Sequence, residues 1–321
     1  MELPDGWIAR RPTFDDISAI LALVHASDIA TVGAPDFSRE DVQEALTGPN
    51  TDPARDSWLA LDPSGTVVAW AYLENPARSR RDFVEVYAHP EHGEPARAPL
   101  LARQLARVAE RAAEFGFDEM TVRAGAIPNE DHWIGTLRSA GFTFVKQYAR
   151  MRCELADLPA APTAAPSGVL IRPVRASDDA DLRTFHRILD TAFRDTPDYA
   201  PLTYEQWREQ IAKLPSVAWD EWFVATVADE PVGILQSADQ ALDQNEGWVK
   251  NLAVLREHRH RGVGRALLSR AFASYAGKGR KYAGLGVDLS NPTEAVRLYR
   301  SVGMSPTYQA NMFERTVTAA R

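Results

Sequence analysis

Two short stretches carry the residues best suited to chemistry. The first is REHRHRGVGR, Arg256 to Arg265, with four arginines, two histidines and two glycines in a chain of net charge −8. It follows VKNLAV (Val249 to Val254), an apolar run that reads as a buried strand. It precedes ALLSRAFASYA, in which Leu268, Phe272 and Tyr275 recur at helical spacing. A basic, glycine-bearing loop between a strand and a helix N-terminus suits an anion, because the first N–H groups of a helix lack partners and carry the positive end of its dipole. Gly262 and Gly264 are expected to admit a phosphate where a Cβ would obstruct it. The second stretch is SNPTEAVRLYRSVGM. Asn291 can cap a helix, Pro292 and Glu294 suit its first turn, and Gly303 suits its end. Tyr299 then shares a face with Ala295, Leu298 and Val302 and points toward the sheet.

The missing residues narrow the anion. A P-loop needs Gly-Lys followed by Ser or Thr, and a dinucleotide fingerprint needs a third glycine where Leu267 stands. The run Arg259, His260, Arg261, Gly262, Val263, Gly264 instead resembles the Arg/Gln-x-x-Gly-x-Gly/Ala pyrophosphate loop of the GNAT acetyl-CoA-dependent N-acetyltransferases. Leu252, Ala253 and Val254 look like the end of that family's fourth strand, which hydrogen-bonds the pantetheine arm. The resemblance implies a mixed α/β sheet splayed open for acetyl-CoA. It implies cofactor contacts from Leu252, Ala253, Val254, the loop from Arg259 to Gly264 and the adjoining Arg265. Asn-Pro-x-x-Ala-x-x-Leu-Tyr is also a family pattern, and it puts a general acid on Tyr299 and a cofactor contact on Asn291.

The implied chemistry is coherent. A neutral amine attacks the thioester, backbone N–H groups near Val254 face the oxyanion, and a phenol within about 3 Å protonates the leaving thiolate. Glu246 is the first candidate for the base, with Asp288 or a water held by Asn251 as alternatives. His258 and His260 lack a carboxylate or thiolate ligand set, so no metal is expected. Cys153 stands alone, outside both motifs, and reads as a packing residue.

These motifs need a scaffold, and 321 residues is enough for two domains. LADLPAAPTAAPSG, residues 155–168, reads as an extended Ala/Pro linker between halves 1–154 and 169–321. The halves echo each other. Asp15 and Asp16 precede Asp178 and Asp179 by 163 positions, and Gly141 of LRSAGF precedes Gly303 of YRSVGM by 162. Each half reads as a strand, helices, a hairpin, then strand, helix, strand, helix, an α/β pattern, and the resemblance then implies two tandem GNAT-like domains. In the first half, VEVYAHPEHGEPARAPLL puts Pro95 and Ala96 where Arg261 to Val263 stand in the second, and Leu137 replaces the tyrosine. That half is expected to keep the fold without catalysis.

The acidic balance opposes nucleic acid and anionic membranes, no apolar run is long enough to span a bilayer, and MELPDGWIAR is unlike a signal peptide. A cytoplasmic monomer or homodimer is expected. Asp195, Asp198, Tyr199, Glu205, Trp207, Asp220, Glu221, Trp222, Asp239, Asp243 and Glu246 fall where the family walls its acceptor site, favouring a small cationic amine. Two other readings stand beside this one. One is an enzyme like mycothiol synthase, a tandem family member with one degraded half; the other is a non-catalytic module that senses acetyl-CoA. Gly286 replaces the glutamate of ribosomal-protein acetyltransferases.

Overall fold

The structure is a computed structural model that describes residues 2–48, 50–76, 78–158, 164–194, 196, 199, 201–212, 214, 217–239, 241–242, 244–290 and 295–320. It divides into two compact units, one of Met1–Tyr148 with Tyr308–Arg321 and one of Ala149–Thr307.

The first unit runs β1 (Ile8–Arg10), α1 (Ile17–Val32), α2 (Arg39–Thr47), α3 (Pro53–Asp56), β2 (Ser57–Leu61), β3 (Val67–Glu74), β4 (Arg81–Ala88), α4 (Glu94–Phe115), β5 (Glu119–Ala126), α5 (Asp131–Ser139) and the start of β6 (Thr143–Glu154). The second continues from β6 through β7 (Val169–Pro173), α6 (Asp179–Phe193), α7 (Tyr204–Ala212), β8 (Phe223–Val227), β9 (Glu230–Ala238), β10 (Glu246–Val254), α8 (Val263–Gly277), β11 (Tyr282–Asp288), α9 (Ala295–Ser301) and the start of β12 (Ser305–Thr318).

In the first unit the strand order is β1-β2-β3-β4-β5-β12, and in the second β6-β11-β10-β9-β8-β7. Both are mixed sheets, as the α/β pattern predicted. The parallel pairs are β4 with β5 and β10 with β11, each bridged by the long helix α4 or α8. Helices cover both faces. In the second unit α8 and α9 bury Leu267, Phe272 and Tyr299 on one side, while α6 and α7 bury Phe185, Trp207 and Trp222 on the other. Gly247 in β10 has a packing cause, because a Cβ there would lie 2.3 Å from the Tyr275 ring.

The repeat has a physical signature beyond its spacing. Arg10 on β1 grips Asp16 through two hydrogen bonds of 2.7 and 2.6 Å, which hold that carboxyl down to about 2. Arg172 on β7 grips Asp181 in the same way, at 2.7 and 2.5 Å. The structural counterpart of Asp16 is therefore Asp181. Asp178, matched to Asp15 by sequence, instead caps α6 by accepting from the amides of Ala180 and Asp181.

The units differ from the sequence halves at one point. Asn311 to Thr318 of β12 pair with β5 and bury Phe313 in the first unit, while Ala149, Met151 and Cys153 of β6 enter the second unit's core. Each unit is thus completed by a strand from the other half. The Ala/Pro run shows as a 3-10 turn at Leu155–Asp157 and an irregular stretch before β7, with residues 159–163 outside those described. A chain ending at Thr307 should consequently destabilise the first unit, not the second, by at least about 3 kcal/mol from lost strand pairing and Phe313 burial. Hydrogen exchange would show it as faster exchange in β5, with α8 and β10 unchanged.

Candidate active site

The second unit's sheet opens along its length. Among the described residues β10 and β11 pair at Glu246 with Tyr282, Gly247 with Ala283 and Trp248 with Gly284 alone. Beyond Trp248, β10 stays paired to β9 as far as Val254, with an irregularity in register between Val249 and Asn251. One edge of Val249 to Val254 therefore faces a widening gap. Glycines in β11 permit the geometry at its closed end, since a Cβ on Gly284 would fall 1.6 Å from Glu246 Oε1 and 3.1 Å from the Trp248 ring.

The open end leads to the basic loop. After Val254 the chain makes a 3-10 turn at Arg256–His258, and Gly262 precedes α8 at φ +78°. Ala266 is the first amide bonded back into the helix, to the Gly262 carbonyl, and no side chain caps this N-terminus. The amides of its first turn are thus available to an anion. His260, Arg261 and Arg265 are exposed beside them. His260 also has a left-handed backbone, at φ +60°.

The glycines also have causes within the protein. A Cβ on Gly264 would lie 3.1 Å from Leu298 Cδ2, so this glycine lets α9 pack onto the start of α8. A Cβ on Gly262 would lie 2.8 Å from Pro166 Cγ, and its left-handed φ is itself strained for other residues. They shape the loop through packing and φ. Arg259 likewise turns inward, its Nε donating to the Val254 carbonyl at 3.0 Å and one Nη to the Ala192 carbonyl at 3.4 Å. Its side chain ties loop to strand, and the exposed basic groups are those of its neighbours.

Tyr299 lies on α9 within the α8 core and is 9% exposed. Burial pushes its hydroxyl up to about 12, and among the described residues nothing hydrogen-bonds it. The phenol therefore stays protonated at neutral pH, as a proton donor must. Leu298 beside it touches Gly264 and lies near Val254 and Leu252, which brings the tyrosine's helix to the phosphate loop and the open edge. Asn291 lies outside the described residues.

Glu246 is set otherwise than a base requires. It is fully buried, with Oε2 3.2 Å from Arg150 Nη2 and 3.1 Å from Arg152 Nε. Two guanidinium groups meet on that one oxygen, so the side chain is a structural bracket at the gap's closed end. Sequence reasoning missed Arg150 and Arg152, although their i, i+2 spacing on one strand face was a visible signal. Asp288 accepts from Ser290, and Asn251 Nδ2 donates to Gln236 Oε1 at 2.7 Å, while the Asn251 side-chain oxygen has no partner among the described residues.

Several expected acceptor-wall residues have other duties. Trp207 and Trp222 are core, Glu221 is buried against Lys278 and Arg280, and Asp220 also pairs with Lys278. Glu205 faces Arg183, and Tyr199 donates to Asp190 at 3.3 Å. Asp195, Asp198 and Asp243 lie outside the described residues. Much of the ground for a cationic acceptor is thereby removed.

The first unit lacks the anion seat. β4 ends at Ala88 and α4 begins at Glu94, with Pro95 in its first turn, so an acid occupies that turn and an amide is missing. Leu137 is fully buried in α5 and supplies no hydroxyl.

Residues 218–303 match the family model described as acetyltransferase (GNAT) domain. The chain carries a GNAT acetyltransferase domain. Likeness extends well beyond it. Over 263 residues, 81% of this chain and 80% of its relative, the sequence is 27% identical to a mycothiol acetyltransferase from Streptomyces bingchenggensis (strain BCW-1). A GCN5-related N-acetyltransferase from Sphaerobacter thermophilus is 26% identical, with a TM-score of 0.85 over 100% of this chain and 98% of that one. A tandem GNAT protein from the clavulanic acid biosynthesis pathway shares the fold, with a TM-score of 0.67 at 14% identity over 98% and 100% of the two chains. The protein is an acetyltransferase enzyme of tandem GNAT build, and the GNAT domain contains the loop, the parted strands and Tyr299.

Two outcomes are expected. Gly262→Val should raise KM for acetyl-CoA by about tenfold or more through about 1–2 kcal/mol of backbone strain and the Pro166 contact, with a smaller effect on kcat. Glu246→Gln should lower the melting temperature yet leave the acidic limb of the kcat/KM profile in place; loss of that limb would restore Glu246 as the base.

Proposed function

We propose that the second unit transfers the acetyl group of acetyl-CoA to the primary amine of a small molecule by direct attack in a ternary complex. The observation that carries the reading is the continuity of three features: an uncapped α8 N-terminus, the unpaired edge of β10 from Asn251 to Val254, and the buried phenol of Tyr299. A pyrophosphate fits the first, because the open first-turn amides and exposed Arg261 and Arg265 present positive charge there. The β10 edge offers backbone groups to an amide-bearing arm such as pantetheine.

In this reading the amine nitrogen forms its bond to the thioester carbon, the carbonyl oxygen takes the negative charge, and collapse expels the thiolate, which Tyr299 protonates. The amine's proton leaves through water held at Asn251, since Glu246 is committed to its arginines. The first unit is a GNAT-like domain without catalysis, for it has neither the anion seat nor the phenol.

A mycothiol-type acceptor is a second reading, favoured by the 27% identity that spans 81% of the chain. Thiol release from acetyl-CoA against a panel of amines, including the unacetylated mycothiol precursor, separates these possibilities. Tyr299→Phe should lower kcat by about 10²–10⁴ with KM for acetyl-CoA changed by less than about threefold. No thiol release with any amine, despite acetyl-CoA binding, would favour a sensing module instead.

A further inference from the structure

The first unit has its own parted strands, and what stands there differs from the second unit. β4 pairs with β5 from Arg81 with Thr121 to Val84 with Ala124, and the next residue, Glu85, is the first beyond that pairing. Its partner on β3 is Tyr72, and Tyr87 is opposite Trp70. Trp70 stacks on both tyrosines, with ring centroids 4.4 Å from Tyr72 and 5.9 Å from Tyr87, so the four side chains share one face. Phe37 closes against Tyr87 and Trp70 at 5.6 and 6.4 Å.

The carboxyl and the two phenols of this group have no hydrogen-bond partner among the described residues. Tyr72 is only 6% exposed, yet its hydroxyl has no hydrogen bond among the described residues. Glu85 and the Tyr87 hydroxyl likewise have no hydrogen bond or ion pair there. Burial, with Glu74 and Glu130 nearby, pushes the Glu85 carboxyl up to about 8. Asp28 adds to the negative field at Tyr87. The corresponding cross-strand pair of the second unit, Gln236 and Asn251, satisfies itself with a 2.7 Å hydrogen bond. A half-buried carboxyl group beside two phenol oxygens and electron-rich rings suits a positive partner, which would draw the carboxyl into its charged form.

We propose that the first unit binds a primary ammonium group at Glu85, Tyr72 and Tyr87, making it an amine-binding domain. The three N–H donors of R–NH3+ equal in number the carboxyl and two phenol groups carried on this face beside Trp70 and Phe37. This site goes beyond the acetyl-transfer reading and stands whichever acceptor the second unit uses.

The Trp70 indole N–H, which donates to Ser57 Oγ at 2.9 Å, is a local reporter that the second unit cannot mimic. In the full chain, titration with ethylammonium chloride should shift its nitrogen-proton NMR signal, assigned with Trp70→Phe, in a saturable way. Sodium chloride at equal ionic strength and the neutral isostere ethanol should not. Glu85→Gln should weaken the binding by about tenfold or more, Tyr72→Phe should weaken it less, and Tyr299→Phe should leave it unchanged. Absence of a saturable shift in wild type, equal affinity in Glu85→Gln, or an equal response to ethanol would overturn the proposal. Should Glu85→Gln fail to fold, unchanged affinity in Tyr72→Phe would overturn it as well.

Discussion

The site depends on the parting of two parallel strands. A sheet normally satisfies each strand on both edges, and an interior strand that gives up one edge leaves backbone groups in search of a partner. β10 does this after Trp248, and the loop beyond Val254 then delivers the uncapped end of α8 to the same opening. The separation is held by side chains at the closed end. Glu246 and Trp248 lie over Gly284, and Arg150 and Arg152 hold the glutamate from β6, across β11. A buried charge pair of this kind contributes little net stability, but removal of one partner is costly, so the arrangement fixes geometry more than it strengthens the fold.

The first unit shows what the same scaffold becomes when the loop changes. Its strands still part, after Val84 and Ala124, but Glu94 and Pro95 make the start of α4 unsuited to an anion. The opening is correspondingly acidic and aromatic, where the second unit has a self-satisfied amide pair. Duplication and divergence of one supersecondary unit account for both, and the Arg10–Asp16 and Arg172–Asp181 grips survive in each copy.

Much of this was legible in the sequence. The basic loop, the apolar strand before it and the amphipathic helix after it are local features, and local pattern placed β10, α8 and Tyr299 on the correct elements. Non-local causes were illegible. The close approach of Gly262 to Pro166 and of Gly264 to Leu298 was not readable, because it joins residues far apart in the chain. The pairing of Glu246, the first candidate for the base, was hidden because its two arginines lie roughly a hundred residues upstream, and Trp207, Glu221 and Trp222 looked available because their burial depends on tertiary packing. The strand exchange through β6 and β12 left no mark at the Ala/Pro run that suggested the domain boundary.

The central claim is that acetyl-CoA is held by backbone groups of the parted β10 edge and the first turn of α8. Hydrogen–deuterium exchange with and without acetyl-CoA measures it directly. The account predicts slowed exchange at Asn251 to Val254 and Val263 to Arg265, with His89 to Ala96 unaffected. Protection confined to His89 to Ala96, or none at the start of α8 under saturating acetyl-CoA, would contradict it.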